Sequence, residues 1–372
     1  MQQAEAQLRG ERKMSEYFLE ARNIYKAFGG IQALKNVTLK IRAGETLCLA
    51  GQNGCGKSTL IKIISGAYEL DDGEIVIEGT SHRHITPLQS THAGIQVMLW
   101  TTEPHFNEYG AQLDRLAELG YDAVEIPVYD LSAEDIERYA KRAAELKMEA
   151  QAIDVFTADI GDMIGHDPAL RRTAVERCKV DVHKARDLGS RLISGPFFQG
   201  LCAAPTKEGP TREEWNWAVE GLRAVAEEAK ACGNLLVAAE PLNRFEMHIV
   251  NTLEQADALC RETGMDNLGL LADTNHANIE ELDVVQTYAK YAKRIFNVHV
   301  SENNRGIPGT GHGVPKELFK ALEQAGYAGN LIVEAFNCEP GEVLPLLRIW
   351  TPFAKSKDEI CEKSIRFIRE NM

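Results

Sequence analysis

None of the eight cysteines, at positions 48, 55, 178, 202, 232, 260, 338 and 361, stands in a C-x-x-C spacing. They read as reduced, mostly buried thiols, which excludes a disulfide framework and a thiolate zinc site. No stretch reaches the roughly 18 apolar residues of a membrane span, and the opening MQQAEAQLRGERK has no apolar signal-peptide core. Those two absences set the expectation of a cytoplasmic protein that is neither exported nor inserted in a membrane. Positive charge is short as well: 41 Lys and Arg face 55 Asp and Glu, a formal net charge of −14. Such a surface repels phosphate backbones and anionic lipid, so nucleic acid is not an expected partner.

What is present is a chain of 372 residues, 44% hydrophobic and 26% charged. That length suits two domains of about 150 residues each, with cores large enough to need no disulfide or structural metal. Residues 1–13 form a polar leader ending at Met14, to which no structure is assigned. From 14 to 97 the text reads as short strands and turns: YFLEARNIYKAF, ALKNVTLKI and the apolar run ETLCLAG, then a helix in KSTLIKIISGAYEL and a strand in EIVIEG.

Between the apolar run and the helix stands Gly51-Gln52-Asn53-Gly54-Cys55-Gly56-Lys57-Ser58, a complete G-x-x-x-x-G-K-S. Glycines there let successive N–H groups wrap phosphate oxygens, Lys57 answers the β/γ charge, and Ser58 can hold Mg²⁺ at the helix start. With KAFGGIQALKNVTLKI, this segment resembles the N-terminal part of an ABC-transporter ATPase of the sugar-import type. The resemblance implies ATP and Mg²⁺ at Gly51, Gly56, Lys57 and Ser58, with Phe28 stacked on adenine. The glutamine loop, LSGGQ-type signature, acidic strand end and switch histidine that such ATPases need do not follow. At His92-Ala-Gly-Ile-Gln-Val97 the text runs directly into MLWTTEPHF. The expectation is a truncated P-loop fragment, unable to hydrolyse ATP, fused to an unrelated enzyme over 98–372 that keeps its activity when restarted at Met98.

From Met98 onward strand and helix alternate. Eight candidate strands, QVMLWT, AVEIPVY, AQAIDVF, LISGPFF, LLVAAEPL, LGLLADTN, IFNVHVSE and NLIVEAF, are separated by stretches with apolar residues at helical spacing, such as SAEDIERYAKRAAELK and TREEWNWAVEGLRAVAEEAKACG. Eight β-then-α units predict an α/β fold, a (β/α)8 TIM barrel. A doubly wound open sheet usually has fewer strands and a glycine-rich first turn, which is missing after QVMLWT.

Four successive strands end in an ionisable group: Glu240, Asp273, His299 and Glu334, spaced 33, 26 and 35 residues apart. In a barrel of this kind all strand ends open on one mouth, so these residues converge. One carboxylate at a strand end is usually a helix cap or an ion-pair partner. Four in a row, each ending an apolar run, would be expensive to bury without a shared cation. Three carboxylates and one imidazole suit Mn²⁺, Mg²⁺ or Co²⁺.

The motifs E-P-L-N-R-F-E, D-T-N-H, H-V-S-E-N-N-R-G-x-x-G-T-G-H and V-E-A-F make residues 98–372 similar to the ketose 3-epimerases of the sugar isomerase/epimerase superfamily, the D-tagatose, D-psicose (allulose) and L-ribulose group. The resemblance implies metal ligation, Mn²⁺ first, by Glu240, Asp273, His299 and Glu334, and substrate binding by Glu246, His276 and Arg305. It also implies a small-molecule ketose as substrate and a homodimer or homotetramer, for which Phe336 and Trp350 are interface candidates. Inverting C3 of a ketose requires removing the proton α to the C2 carbonyl, holding a cis-enediolate and returning a proton from the opposite face. The family assigns the two proton transfers to Glu240 and Glu334. Trp100, Glu125, Phe197 and Phe198 are candidates to wall the sugar, and His312 belongs to the loop around it. Where the group commonly has a tryptophan after G-T-G-H, this chain reads Val314-Pro315-Lys316.

Three other functions compete. An aldose-ketose isomerase of the hydroxypyruvate type would use the same enediolate between C1 and C2. An apurinic endonuclease would need a multi-zinc cluster and a basic groove, which ten histidines and a charge of −14 do not supply. A nucleotide-binding transporter subunit would need the missing ATPase signature.

Overall fold

The computed structural model describes residues 17–29, 31–42, 45, 47, 49, 55–64, 68–77, 80–82, 91–155, 162–200, 209–338, 344 and 347–372. The chain divides into two compact units, Met1–Ser90 and Thr91–Met372.

In the first unit, β1 (Leu19–Phe28) lies between β2 (Ile31–Ile41) and β3 (Asp72–Ile77), and β4 (Thr80–His82) extends the sheet beyond β3, all antiparallel in the order β2-β1-β3-β4. Helix α1 (Lys57–Ile64) turns Leu60 and Ile63, three apart and therefore on one face, into a small core with Ala21, Ile24, Leu34 and Ile75. The register of β1 slips between Ala21 and Ile24, where Asn23 has φ 51°. The turn into β3 demands glycine: Gly73 has φ +107°, and a Cβ there would stand 2.4 Å from the Asn23 carbonyl oxygen. The expected strand ETLCLAG falls largely outside the described residues.

The second unit runs β5 (Ala93–Gln96), α2 (Phe106–Tyr109), α3 (Ala111–Leu119), β6 (Ala123–Pro127), α4 (Ala133–Leu146), β7 (Glu149–Ile153), α5 (Pro168–Leu188), β8 (Leu192–Gly195), α6 (Arg212–Ala231) and β9 (Leu236–Ala239). It continues with α7 (Leu253–Thr263), β10 (Leu268–Asp273), α8 (Thr274–Glu280), α9 (Val284–Tyr291), β11 (Ile295–Val300), α10 (Glu317–Gln324), β12 (Asn330–Val333) and α11 (Lys357–Asn371). The eight parallel strands β5 to β12 pair in chain order, and β12 returns to β5 through Leu331 on Ala93, Ile332 on Gly94 and Val333 on Ile95, closing the expected barrel. Gly94 permits the closure, since a Cβ there would sit 2.4 Å from Ile332 Cδ1. Helix starts are written locally: Thr211 and Thr252 form capping boxes with Glu214 and Gln255, and Asp167 caps α5 ahead of Pro168. Among the described residues no helix is long and apolar enough to cross a membrane.

The first barrel strand corrects the expectation drawn from QVMLWT. The strand is Ala93–Gln96, and Val97–Leu99 form a 3-10 turn, so the unit begins at Thr91 and not at Met98. A strand buried on both faces has no alternation to mark its ends. Here Ala93 to Gln96 are all buried, and the apolar Val97 and Leu99 beyond them are buried in a turn.

Candidate active site

Glu240 follows the last residue of β9, Asp273 closes β10, His299 is the penultimate residue of β11, and Glu334 follows β12. Parallel register sets Asp273 beside His299 and Val300 beside Val333. All four side chains are buried, and one ligand atom from each lies within 4.8 Å of the others. His299 Nδ1 stands 3.1 Å from Glu334 Oε2 and 3.9 Å from Glu240 Oε1. The structure therefore brings together the four residues singled out in the sequence.

Arg305 crosses this group, donating from Nη1 to Asp273 Oδ2 at 2.5 Å, to Glu334 Oε2 at 2.7 Å and to Ser301 Oγ at 3.0 Å. Its backbone is left-handed, φ 63°, a conformation a non-glycine residue adopts only when its surroundings over-determine it. Here they do: Arg305 N–H donates to the Glu302 carbonyl, and the Arg305 carbonyl accepts from Phe336 N–H, each at 2.8 Å. The buried Glu302 carboxylate gathers the loop by accepting from the backbone N–H groups of Asn303, Gly309 and Gly313. That arrangement gives glycines of G-x-x-G-T-G their reason: Gly309 has φ +81°, and a Cβ on Gly311 would lie 2.1 Å from Asn303 Oδ1. His312 is exposed on the outside of the same loop.

Burial drives the electrostatics. It pushes Glu240 well above the usual carboxylate range and raises Asp273, in both cases with neighbouring carboxylates adding to the shift. Burial pushes Glu334 up too, but Arg305 and His299 outweigh it and hold its carboxyl below the usual range. Three carboxylates and Glu246 thus surround one guanidinium and the imidazoles of His299 and His276. This surplus of acidic oxygen around a single nitrogen ligand fits a hard divalent cation.

His276, on the first turn of α8, is buried, and desolvation together with Arg305 pushes it down to about 3. Its Nδ1 accepts from the Asn243 backbone N–H at 3.1 Å and faces Asn243 Nδ2 at 2.9 Å, so the neutral ring carries its proton on Nε2. That Nε2 stands 3.0 Å from Arg305 Nη2, setting two donors side by side. Asn243 Nδ2 also donates to Glu246 Oε1 at 2.8 Å, tying the third expected substrate residue to the same frame.

The mouth holds a cavity of about 250 Å³ lined by Glu240, Glu246, His276, Arg305 and Glu334 together with Met98, Thr102, Glu103, Tyr129, Asp130, Phe336 and Leu347. Sequence reasoning missed Tyr129 and Asp130, although their place just past the end of β6 is where a barrel presents its working loops. It also misplaced others. Glu125 does not wall this cavity but is fully buried within the barrel, with His299 Nε2 2.9 Å from its Oε2. Phe197 and Phe198 are packed in the interior, and Trp100 is half-buried outside the lining. Phe336, an interface candidate, lines the cavity and is buried, whereas Trp350 is exposed. A larger cavity of about 710 Å³ opens at the strands' N-terminal ends among Glu149, Arg191, Lys293 and Asn330, with no comparable convergence of acids and imidazoles.

In the first unit, Gly51 lies outside the described residues. Gly56 has φ +89°, and Lys57 and Ser58 begin α1. Phe28 is 43% exposed and meets Tyr68 edge-on at 5.3 Å.

Comparison with known proteins finds two families along the chain, with matches that overlap over residues 113–160. Residues 113–371 match the family described as xylose isomerase-like TIM barrel, and residues 34–160 match the ABC transporter family. The latter match runs on into β5, β6 and β7 of the closed barrel. An L-ribulose 3-epimerase of Mesorhizobium japonicum is 36% identical over 246 residues, covering 66% of this chain and 82% of that protein. A solved L-ribulose 3-epimerase structure superposes with a TM-score of 0.70 at 32% identity, covering 76% of this chain and 94% of the other. An ATP-binding protein of Pseudomonas fluorescens, named for ribose/galactose/methyl galactoside import, is 48% identical over 82 residues, which are 22% of this chain but 16% of that protein.

Proposed function

Because the chain belongs to the xylose isomerase-like TIM barrel family, and its relatives named 3-epimerase are isomerases, we propose that it is a metal-dependent ketose 3-epimerase inverting C3 of a free keto-sugar through a cis-enediolate. The observation that carries this reading is the pair of buried carboxylates, Glu240 and Glu334, lining one cavity with the paired donors of His276 and Arg305. A divalent cation held by Glu240, Asp273, His299 and Glu334 would polarise the C2 carbonyl as a Lewis acid. Glu240 and Glu334, from the non-adjacent strand ends of β9 and β12, exchange the C3 proton, one taking it from one face and the other returning it to the opposite face. Nε2–H of His276 and Nη2 of Arg305 donate to the oxygen on which negative charge develops. Glu246, braced by Asn243, accepts from a sugar hydroxyl. The described lining carries five carboxylates, Glu103, Asp130, Glu240, Glu246 and Glu334, against one guanidinium. That balance favours a neutral sugar over a sugar phosphate.

The test is solvent deuterium uptake with L-ribulose or D-fructose and Mn²⁺. Uptake at C3 with formation of the 3-epimer is expected; uptake at C1 with an aldose product would identify an aldose-ketose isomerase. Stripping the metal with EDTA should abolish turnover, and Mn²⁺, Co²⁺ or Mg²⁺ should restore it. Glu240→Gln and Glu334→Gln should each lower turnover by about 10²- to 10⁴-fold, the usual worth of a positioned proton-transfer group. Wild-type C3 exchange in both variants would remove the two glutamates from the proton path.

A further inference from the structure

Beneath the mouth the barrel interior departs from the branched apolar layers usual in this fold. Gln96 on β5, Glu125 on β6, Gln151 on β7, Ser194 on β8 and Asn297 on β11 are each at most 1% exposed, and all meet at the Glu125 carboxylate. We propose that Glu125 is a positioning residue that keeps a proton of His299 on Nε2 and so leaves Nδ1 as the nitrogen a cation can take, and that a chain of hydrogen bonds starting at Glu149, at the other end of the barrel, sets its acceptor role. The inference rests on the reading of His299 as a metal ligand.

The chain starts from a group whose sense is certain. Burial pushes the Glu149 carboxyl up, but His92 and Arg191, each 2.9 Å from Oε2, hold it down at about 2, so it only accepts. Glu149 Oε1 therefore takes a hydrogen from Asn330 Nδ2 at 3.2 Å, and the same Nδ2 donates to Gln151 Oε1 at 3.0 Å. With its oxygen so engaged, Gln151 presents Nε2 to Glu125 Oε1 at 2.9 Å. Asn297 Nδ2 at 3.1 Å and Ser194 Oγ at 3.3 Å donate to the same oxygen, and Gln96 Nε2 donates to Oε2 at 2.9 Å.

Four donors are the load of an ionised carboxylate. The fifth contact, His299 Nε2 at 2.9 Å from Oε2, is an ion-pair contact without hydrogen-bond geometry, and the ionised oxygen beside it favours a proton on Nε2. Nδ1 is in hydrogen-bond geometry with Glu334 Oε2 at 3.1 Å and lies 3.9 Å from Glu240 Oε1, so a cation ligated there would take the place of the proton that Nδ1 shares with Glu334.

Glu125→Gln separates this role from simple core filling, because the two side chains have nearly the same shape. The new amide nitrogen would face three donors at Oε1 but only Gln96 at Oε2, and a flip of the Gln96 amide offers its otherwise unpartnered Oε1, so the nitrogen takes the Oε2 position and donates to Gln96 and to His299 Nε2. Nε2 then accepts, and the neutral ring holds its one proton on Nδ1, where it competes with the metal. Calorimetric titration of EDTA-stripped full-length protein with Mn²⁺ should show affinity reduced by about 10- to 100-fold, the usual effect of losing such a partner, with little change in the melting temperature of the metal-free protein. Asn330→Ala keeps Glu125 and breaks only the far end of the chain. It should lose less affinity, and it carries the test if Glu125→Gln fails to fold. Wild-type affinity in a folded Glu125→Gln, or in Asn330→Ala where only that variant folds, overturns the inference. Absence of saturable Mn²⁺ binding by the wild-type protein overturns the metal reading of the four mouth residues, and this inference with it.

Discussion

Among the described residues of the first unit, a core cluster of six buried side chains, two of them on the eight-residue helix α1, holds together a four-stranded sheet whose outer strands, β2 and β4, each have a single neighbour. In the second, eight strands close on themselves and no edge remains. Both units carry a motif that is easy to read, yet they differ in what that motif needs. A phosphate loop is a local device of eight consecutive residues. Here it stands in a segment that matches 16% of its ATP-binding relative. The mouth cluster is assembled from four strand ends spread over 95 residues, and it exists only if the barrel closes. A local motif is therefore weak evidence that a working fold surrounds it, and a distributed constellation is strong evidence.

The largest expected effect tests where one unit stops and the other begins. Deleting residues 1–90 should leave 3-epimerisation close to that of the full chain, whereas deleting 1–97 removes β5 and leaves β12 and β6 without their shared neighbour. The shorter protein is expected to be insoluble or inactive, in contrast to the sequence-based expectation of activity from Met98. Equal specific activity of the two truncations would break the comparison at its root.

A smaller effect concerns how each unit carries its charges. In the first, Lys26 and the Ala27 N–H hold Asp71 below its usual range. Inside the barrel unit, burial and Asp181 push Asp154, beyond the end of β7 and bonded to Cys178 Sγ, from 3.8 up to about 8. Between those values the folded chain keeps a proton that the unfolded chain releases, so stability declines as pH rises through that window. Asp154→Asn should raise the melting temperature of the barrel at about pH 8.5, by roughly 2–4 °C per kcal/mol recovered, and leave it unchanged near pH 3.5. An equal shift at both pH values would mean that packing, not ionisation, is responsible.

The smallest effect is expected from Lys57→Ala, which should leave sugar turnover unchanged because no proposed chemical step uses the first unit. A clear loss in steady-state kinetics, with the fold intact, would mean that the two units communicate.

Much of the barrel was legible because strands such as β9, β10 and β12 are apolar runs stopped by an ionisable residue, and each long helix carries its own cap, as in Ser132 and Thr211. The first strand escaped because Ala93-Gly94-Ile95-Gln96 is short and buried on both faces, and more apolar residues follow it. The mouth acids were visible from their spacing. Tyr129 and Asp130 were not, since nothing in their local text separates a cavity wall from an ordinary loop. Glu125 was read as a wall residue because strand position alone does not say how deep in the barrel a side chain lies.

By itself the sequence determined that Glu240, Asp273, His299 and Glu334 reach the mouth, since strand order and those strand ends follow from local apolar patterns. The tertiary structure alone decided what those residues meet there. Arg305 reaches Asp273 and Glu334 only through a left-handed backbone braced by Glu302 and Phe336. The sense of the hydrogen bonds under His299 depends on partners such as Asn297 and Glu125, 172 residues apart, and Asn330 and Gln151, 179 apart. A hydrogen bond's direction is set by the groups at both ends, and closure of the barrel is what brings those ends together.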